Sequence, residues 1–147
     1  MTFLFTYYSL IMKTIIAFAL VAMSLGAHAQ AKPVKIVFDV TSKDTLVHQA
    51  ALRHITLMAQ SYPQSTFELV IYGGAISMVE TGKSTVAKSI QQLEKNPNVS
   101  FKVCEQTMKR YNVTKAQLVP FVSTVPDAII EIVNKQGEGW GYIKEAH

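Results

Sequence analysis

The chain has 147 residues, of which 49% are hydrophobic and 16% are charged, and its formal net charge is +4. This length and composition indicate one ordinary folded domain rather than two. The positive residues are mostly scattered lysines with two arginines, Arg53 and Arg110, and no run alternates them with aromatic residues, which argues against a DNA-binding or RNA-binding protein.

Residues 1–29 have the pattern of a secretory signal rather than of a folded domain. Met12 and Lys13 precede an apolar run over 14–25, and Ala27-His28-Ala29 places small residues before a cleavage site. The apolar run is shorter than the roughly 20 residues that span a bilayer, which argues against an uncleaved membrane anchor. We therefore predict cleavage before Gln30.

The first eleven residues are apolar and carry no positive charge, which is unusual for the start of a signal peptide. Translation from Met12 would explain this. The mature chain is then predicted to be a single domain over residues 30–147, secreted and located in the bacterial periplasm, with no stable membrane insertion after the signal is removed.

Strand-like and helix-like segments alternate along the rest of the chain. The strand segments are rich in β-branched and aromatic residues, and the helix segments carry apolar residues at helical spacing. Strands separated by helices indicate an α/β fold, a three-layer α/β/α sandwich whose mainly parallel sheet of four to five strands is covered on both faces. Strands are predicted at 35–40, 67–72, 99–103, 121–125 and 140–143, helices at 46–62, 86–95, 105–111 and 128–136, and short helical turns at 75–80 and 113–118.

Cys104 is the only cysteine, and it stands between a predicted strand and a predicted helix. Free backbone N–H groups and the helix dipole favour the thiolate form of a cysteine at a helix N-terminus. The charges of Lys102, Lys109 and Arg110 act in the same direction, and that of Glu105 acts against it. The alternative is that Cys104 is a small buried hydrophobe at the end of the strand.

An exported chain with one cysteine cannot form an internal disulfide, so its thiol is buried, paired between chains or reactive. In parallel sheets ligands gather outside the carboxyl ends of the strands, where Asp39, Cys104 and Pro126 are expected. The sequence therefore predicts a pocket at Cys104, in which Asp39 orients a group.

Two further patterns are not expected to form sites. The run 81–85 is similar to a phosphate-binding loop, but Ser77 stands where such a loop requires its first glycine. His48 and His54 lie six residues apart on one predicted helix and point in different directions, so each is expected to be a solvated or core-edge histidine. No metal ion and no organic cofactor are therefore expected.

Several segments together resemble the DsrE/DsrF-like family of small sulfur-metabolism proteins. They are Phe101-Lys102-Val103-Cys104, the run 107–110, the run 122–127 and the ending 136–144, and the resemblance extends from about Lys35 onward. It implies an α/β/α fold, assembly into trimers or hexamers, and a cysteine at the position of Cys104 that carries sulfur as a persulfide. Asn112 departs from the pattern, because relatives often have glycine there.

The leading hypothesis is an exported sulfur carrier or sulfur transferase in which Cys104 accepts sulfane sulfur from a donor and passes it to a partner. It requires a donor or acceptor protein and no cofactor. The competing hypothesis is a non-enzymatic binding or structural homo-oligomer in which Cys104 is buried. A peroxide-reducing thiol is disfavoured, because Phe101 replaces the usual threonine three residues earlier and a resolving cysteine is absent from the sequence.

Overall fold

The computed structural model describes residues 32–146, whose elements belong to one compact unit, Pro33–His147. The predicted signal segment and the cleavage site before Gln30 lie outside the described residues. Strands and helices alternate as predicted, with ends shifted by a few residues. They are β1 (Lys35–Val40), α1 (Thr45–Ser61), β2 (Thr66–Ile71), α2 (Ala87–Gln92), β3 (Val99–Cys104), α3 (Glu105–Tyr111), β4 (Val122–Val125), α4 (Ala128–Gly137) and β5 (Gly141–Glu145), with 3-10 turns at Gly73–Met78 and Lys115–Gln117.

The five strands form one parallel sheet in the order β4-β3-β2-β1-β5. The chain steps outward from β1 to β4 and then returns to the far side of β1 to add β5. Because crossovers between parallel strands are right-handed, this reversal places α4 on the opposite face of the sheet from α1. The predicted α/β fold with a parallel sheet is therefore confirmed.

Alternating side chains along the strands supply one apolar core on each face of the sheet. The larger core lies under α1 and α2 and includes Phe38, Leu69 and Phe101. The smaller core lies under α4 and consists of Val37, Val70, Cys104, Ala128 and Ile132. Cys104 is therefore part of the thinner apolar layer, beneath a single helix.

Short polar side chains cap some of the helical segments of this fold. The Asp127 carboxylate accepts hydrogen bonds from the N–H groups of Ile129 and Ile130 at 2.8 and 3.2 Å, which caps α4. Thr114, which the sequence indicates as a cap, forms a reciprocal capping box with Gln117. The polar residue before α4 therefore fixes where that helix begins.

Asn112 ends α3 in the left-handed conformation, with φ 54° and ψ 39°. Glycine takes this conformation at no steric cost, and asparagine tolerates it better than most other residues. The departure from glycine at this position is therefore compatible with the same helix end. Phe121 also has positive φ, at 77°, and its ring packs edge-on against Phe101 at 5.9 Å, so core packing holds this unusual backbone.

Candidate functional site at Cys104

Cys104 ends β3 and is the N-cap residue of α3, which confirms the predicted junction of strand and helix. Its backbone is extended, with φ −70° and ψ 123°, and its side chain does not cap the helix. The side chain packs with Val70 and Ala128 and is only 5% exposed. The thiol therefore lies in the apolar layer between the sheet and the start of α4.

A cavity of about 250 Å³ lies beside Cys104 at the carboxyl ends of β2, β3 and β4. Three segments line it together with the cysteine: Tyr72 and Gly73 after β2; Gln106, Thr107 and Arg110 of α3; and Asp127, Ala128 and Ile129 at the start of α4. Its position agrees with the edge of the sheet at which the sequence places a pocket. Asp39 and Pro126 are not among the residues that line it.

Asp39 acts on the cavity through Tyr72. The Tyr72 hydroxyl donates a hydrogen bond to the Asp39 carboxylate at 3.3 Å, and the Tyr142 hydroxyl donates to the same oxygen at 2.7 Å. The Lys144 ammonium donates to the other carboxylate oxygen at 2.9 Å and to the Thr41 hydroxyl at 2.7 Å. Asp39 is 4% exposed, and its three donors compensate for burial of the charge. The arrangement fixes the ring of Tyr72 in the cavity wall.

Both tyrosine hydroxyls keep their protons well above neutral pH. Burial, followed by the charge of Asp39 and the hydrogen bond to it, raises the pKa of Tyr72 to about 12. The hydrogen bond to Asp39 is the main cause that raises the pKa of Tyr142 to about 12. Cys104 contributes electrostatically to the shift at Tyr72, so the phenol and the thiol share one local environment.

Thr107 holds the segment after β2 against α3. Its hydroxyl accepts a hydrogen bond from the Gly73 N–H at 3.0 Å, and Gly73 has φ 59°, a conformation that favours glycine. This hydrogen bond therefore holds Tyr72 and Gly73, which line the cavity, close to α3.

The charged residues around Cys104 do not converge on the thiol. Arg110 lines its cavity, whereas Lys109 lies on the other side of α3, in a larger cavity of about 610 Å³ that Glu105 and Lys115 also line. Glu105 accepts a hydrogen bond from Thr124 at 2.7 Å and pairs with Lys115 at 3.2 Å, and these interactions lower the pKa of Glu105. Of the three basic residues that the sequence associates with the thiol, Arg110 alone lines its cavity.

A model of the DsrE/DsrF-like family matches residues 2–144 of this sequence. The chain belongs to that family. Membership connects this protein with sulfur relay at the level of the family. The match to a family model confirms the resemblance that the cysteine segment and the ending of the chain indicate. None of the curated proteins matches the chain.

Solved structures share the fold of this DsrE/DsrF-like protein. The protein of unknown function MTH1491 from Methanobacterium thermoautotrophicum superposes with a TM-score of 0.70 at 21% identity, covering 76% of this chain and 98% of that chain. The ychN protein from E. coli gives a TM-score of 0.64 at 13% identity, with coverages of 78% and 99%. The protein BT1422 from Bacteroides thetaiotaomicron gives 0.60 at 11% identity, with coverages of 75% and 93%. At these identities the likeness concerns the fold alone.

The two histidines of α1 have different partners in this DsrE/DsrF-like fold. His48 is buried, with its Nε2 2.7 Å from the Ser42 carbonyl, and the Nδ1 of His54 lies 3.0 Å from Glu145. His48 is therefore a core residue rather than a solvated or core-edge one. Across residues 32–146 no group of three or more histidine, cysteine, aspartate or glutamate side chains is placed to hold a metal ion, and no helix is long and apolar enough to cross a membrane.

Several residues of the cavity escape prediction from the sequence. Tyr72 reads as the last residue of a strand, Thr107 as a polar residue within a helix, and Asp127 as a helix cap. The Gly-Gly pair after Tyr72 is the signal that was available, because it marks a turn in which the backbone approaches another segment closely. The hydrogen bond from Gly73 to Thr107 is that approach.

Proposed function

We propose that this protein is a sulfur carrier in which Cys104 accepts sulfane sulfur as a persulfide and passes it to a partner. The observation that carries the proposal is the cavity beside Cys104 at the carboxyl edge of the sheet, in a chain of the DsrE/DsrF-like family. A cavity of about 250 Å³ has room for a short polysulfide or for the reactive end of a persulfide.

The transfer consists of two thiol exchange steps. The Cys104 thiolate attacks the outer sulfur of a donor persulfide, the S–S bond of the donor breaks, and the donor leaves as a thiolate. A partner thiolate then attacks the outer sulfur of the Cys104 persulfide, and Cys104 leaves as a thiolate. Each step forms one S–S bond and breaks one, so the sequence needs no external oxidant and no cofactor.

The side chains around the cavity support an anionic sulfur group. Arg110 brings a permanent positive charge to the lining, whereas Asp127 directs its carboxylate to the first turn of α4. The Tyr72 ring and Ala128 form an apolar wall beside the thiol. In the proposal, Arg110 attracts the donor and the apolar wall keeps water from the persulfide.

We expect mature protein incubated with polysulfide to gain the mass of one or more sulfur atoms on Cys104. Cys104→Ser removes the acceptor and is expected to show no gain, while its fold is unchanged because the hydroxyl replaces a small buried thiol. Intact mass spectrometry after removal of excess polysulfide makes the comparison, and iodoacetamide alkylation followed against pH reports the reactivity of the thiol. Protein recovered from a periplasmic fraction would also show, by its mass, whether it begins at Gln30.

The second candidate function is a binding or structural oligomer in which Cys104 serves packing alone. The observation that favours it is the 5% exposure of the cysteine. A native protein whose mass stays unchanged with polysulfide, and whose thiol alkylates only after unfolding, would contradict the carrier function and support this alternative.

We further propose that the protein forms a homo-oligomer, a trimer or hexamer, that meets a sulfur donor or acceptor protein. Ile129, Ile130 and Val133 lie on the outer side of α4, and each is more than half exposed. Adjacent exposed apolar side chains of this size are typical of contact surfaces. Light scattering on the mature protein is expected to give a multiple of the chain mass. A monomer at micromolar concentration, or the same mass for Val133→Glu as for the native protein, would contradict assembly through α4.

A further inference from the structure

Glu68 is a charged side chain in the middle of β2, and it is only 3% exposed beneath α4. The Ser100 hydroxyl donates a hydrogen bond to its Oε2 at 3.0 Å. Its Oε1 is also buried and has no hydrogen-bond partner among the described residues. A buried carboxylate with one oxygen unsatisfied is costly, so this group calls for an explanation beyond packing.

The cation nearest to Glu68 is shared among three carboxylates. The Lys135 ammonium, on α4, lies 3.9 Å from Glu68, 3.6 Å from Glu131 and 3.9 Å from Glu138. Glu68 and Glu131 therefore face the same ammonium, and the nearby Glu131 carboxyl helps to raise the pKa of Glu68. Glu131 is partly exposed but Glu68 is buried, so ionising both carboxyls side by side is costly, and a single proton held between them would supply the missing donor.

Other charges around Glu68 come from the neighbouring strands. On β3, Lys102 alternates onto the same face as Ser100 and pairs in register with Val70. On β1, the Lys35 ammonium lies 6.0 Å from the centre of the Trp140 ring. Asp39, farther along β1, is occupied by its own three donors, among them Lys144 of β5.

Together, the groups around Glu68 favour a proton on the Glu68 and Glu131 carboxyls. Burial raises the pKa of Glu68, and Glu131 adds to the rise, while Lys135 and the hydrogen bond from Ser100 oppose it. A carboxyl whose pKa is higher in the folded state than in the unfolded state binds its proton more tightly when folded. Its stabilising effect is therefore complete below the ordinary glutamate pKa and is lost as the pH rises through the raised value.

The helix that covers Glu68 also closes the Cys104 cavity. Glu131 and Lys135 belong to the middle and end of α4, whereas Asp127, Ala128 and Ile129 line the cavity at its start. Ala128 and Ile132 of α4 share one apolar core with Cys104. A helix of ten residues moves largely as one piece, so a change in how its second half packs on the sheet also displaces its first turn.

We propose that Glu68, Glu131 and Lys135 form a proton-operated switch beneath α4. With one proton shared between the two carboxyls, α4 packs on the sheet and covers Cys104; when the proton leaves, two carboxylates face one ammonium, α4 loosens, and the cavity opens. The switch acts on access to the thiol and stands whether or not Cys104 carries sulfur.

Trp140 provides a built-in probe of the switch. It is the one tryptophan in the sequence, its ring lies 4.7 Å from the Lys135 ammonium, and it packs against the core under α4. We expect its fluorescence to follow a transition as the pH is raised above the ordinary glutamate pKa. Glu68→Gln carries a permanent donor in place of the shared proton, and its fluorescence is expected to stay at the acid value throughout.

Glu138→Gln is the matched control, because it removes an exposed carboxylate near the same ammonium, just after the end of α4. It is expected to keep the native transition. Glu131→Gln, which also fixes a donor between the two carboxyls, is expected to behave like Glu68→Gln and serves if that variant fails to fold. A native protein without a transition, or a Gln variant at either carboxyl that titrates like the native protein, would overturn the switch.

The link to Cys104 has a separate readout. At one fixed pH above the fluorescence transition of the native protein, we expect iodoacetamide to alkylate Cys104 several-fold more slowly in Glu68→Gln than in either the native protein or Glu138→Gln. Equal rates in all three would overturn the opening of the cavity. Because this reaction needs no sulfur donor, its outcome is independent of whether the protein accepts sulfane sulfur.

Discussion

Asp39→Ala is expected to lower the free energy of unfolding by about 3 kcal/mol. The substitution leaves the hydroxyls of Tyr72 and Tyr142 and the ammonium of Lys144 without their acceptor, and removing one partner from a buried charged network costs roughly 3 to 5 kcal/mol. Lys144 is 40% exposed and can be rehydrated, which places the cost at the lower end of that range. Urea unfolding at neutral pH, followed by circular dichroism, measures the loss.

Asp39→Asn separates the charge from the shape of the side chain. It keeps one acceptor oxygen and is expected to lose less stability than Asp39→Ala. A loss below about 1 kcal/mol for Asp39→Ala would contradict the account, since that is the scale of a single neutral hydrogen bond.

The same network sets an alkaline limit on stability. The pKa values of Tyr72 and Tyr142, at about 12, lie above the ordinary tyrosine value of about 10, so the stabilising effect is complete below the ordinary value and is lost as the pH rises to about 12. Ultraviolet titration of Asp39→Asn should show these two phenols ionising closer to their ordinary pKa. The change should be clearest for Tyr142, and unchanged titration of that phenol would mean that Asp39 is not the cause of its shift.

Tyr72→Ala is expected to increase the rate at which iodoacetamide alkylates Cys104 by about tenfold. The Tyr72 ring forms one wall of the cavity and packs against the core that contains the cysteine, so its removal exposes the thiol. A reduction of about 1.4 kcal/mol in the cost of exposing the thiol gives that factor. The rate is measured by mass spectrometry of quenched samples at one fixed pH.

Tyr72→Phe is the control for this experiment, because it keeps the ring and loses the hydrogen bond to Asp39. If the ring covers the thiol, alkylation of Tyr72→Phe stays close to the native rate. A tenfold increase in Tyr72→Phe would assign the effect to the hydrogen bond instead. Equal rates in all three proteins would show that Tyr72 does not limit access to Cys104.

These two sites bear on the proposed sulfur transfer in different ways. Asp39 does not line the cavity, and it acts as a positioning residue through Tyr72. Tyr72 lines the cavity beside Cys104, so in the proposed transfer it would set how readily a donor reaches the sulfur. If Cys104 carries sulfur, Tyr72→Ala should load faster with polysulfide than the native protein, and its persulfide should also be lost faster to small thiols.

Prediction from the sequence succeeds where the residues that determine a structural feature are neighbours in the chain. The junction at Cys104 follows from the alternation of residues 99–103 and from the helix formers after it, and the structure places the last residue of β3 and the N-cap of α3 there. The cap at Thr114 is likewise local. The helix predicted at 86–95 ends earlier, at Gln92, because tighter turn hydrogen bonds from Leu93 and Glu94 replace the helical pattern.

Prediction fails where the signal depends on segments distant in the chain. Glu68 reads as an ordinary polar residue in a strand, although a charge flanked by Phe67 and Leu69 in a strand buried on both faces was a sign of a buried site. Its partners Ser100 and Lys135 lie 32 and 67 residues later, and only the sheet and α4 bring them together.

The sequence by itself determined the alternation of strands and helices, and hence the α/β class, because hydrophobic periodicity is written into neighbouring residues. It also determined that one thiol stands at the end of a strand. The tertiary structure alone decided that this thiol is covered by α4 and that Tyr72, just after the neighbouring strand β2, reaches Asp39. Strand order and the face on which each helix packs are properties of the assembled sheet. Contacts between segments distant in the chain, and the burial of Cys104, follow from that assembly.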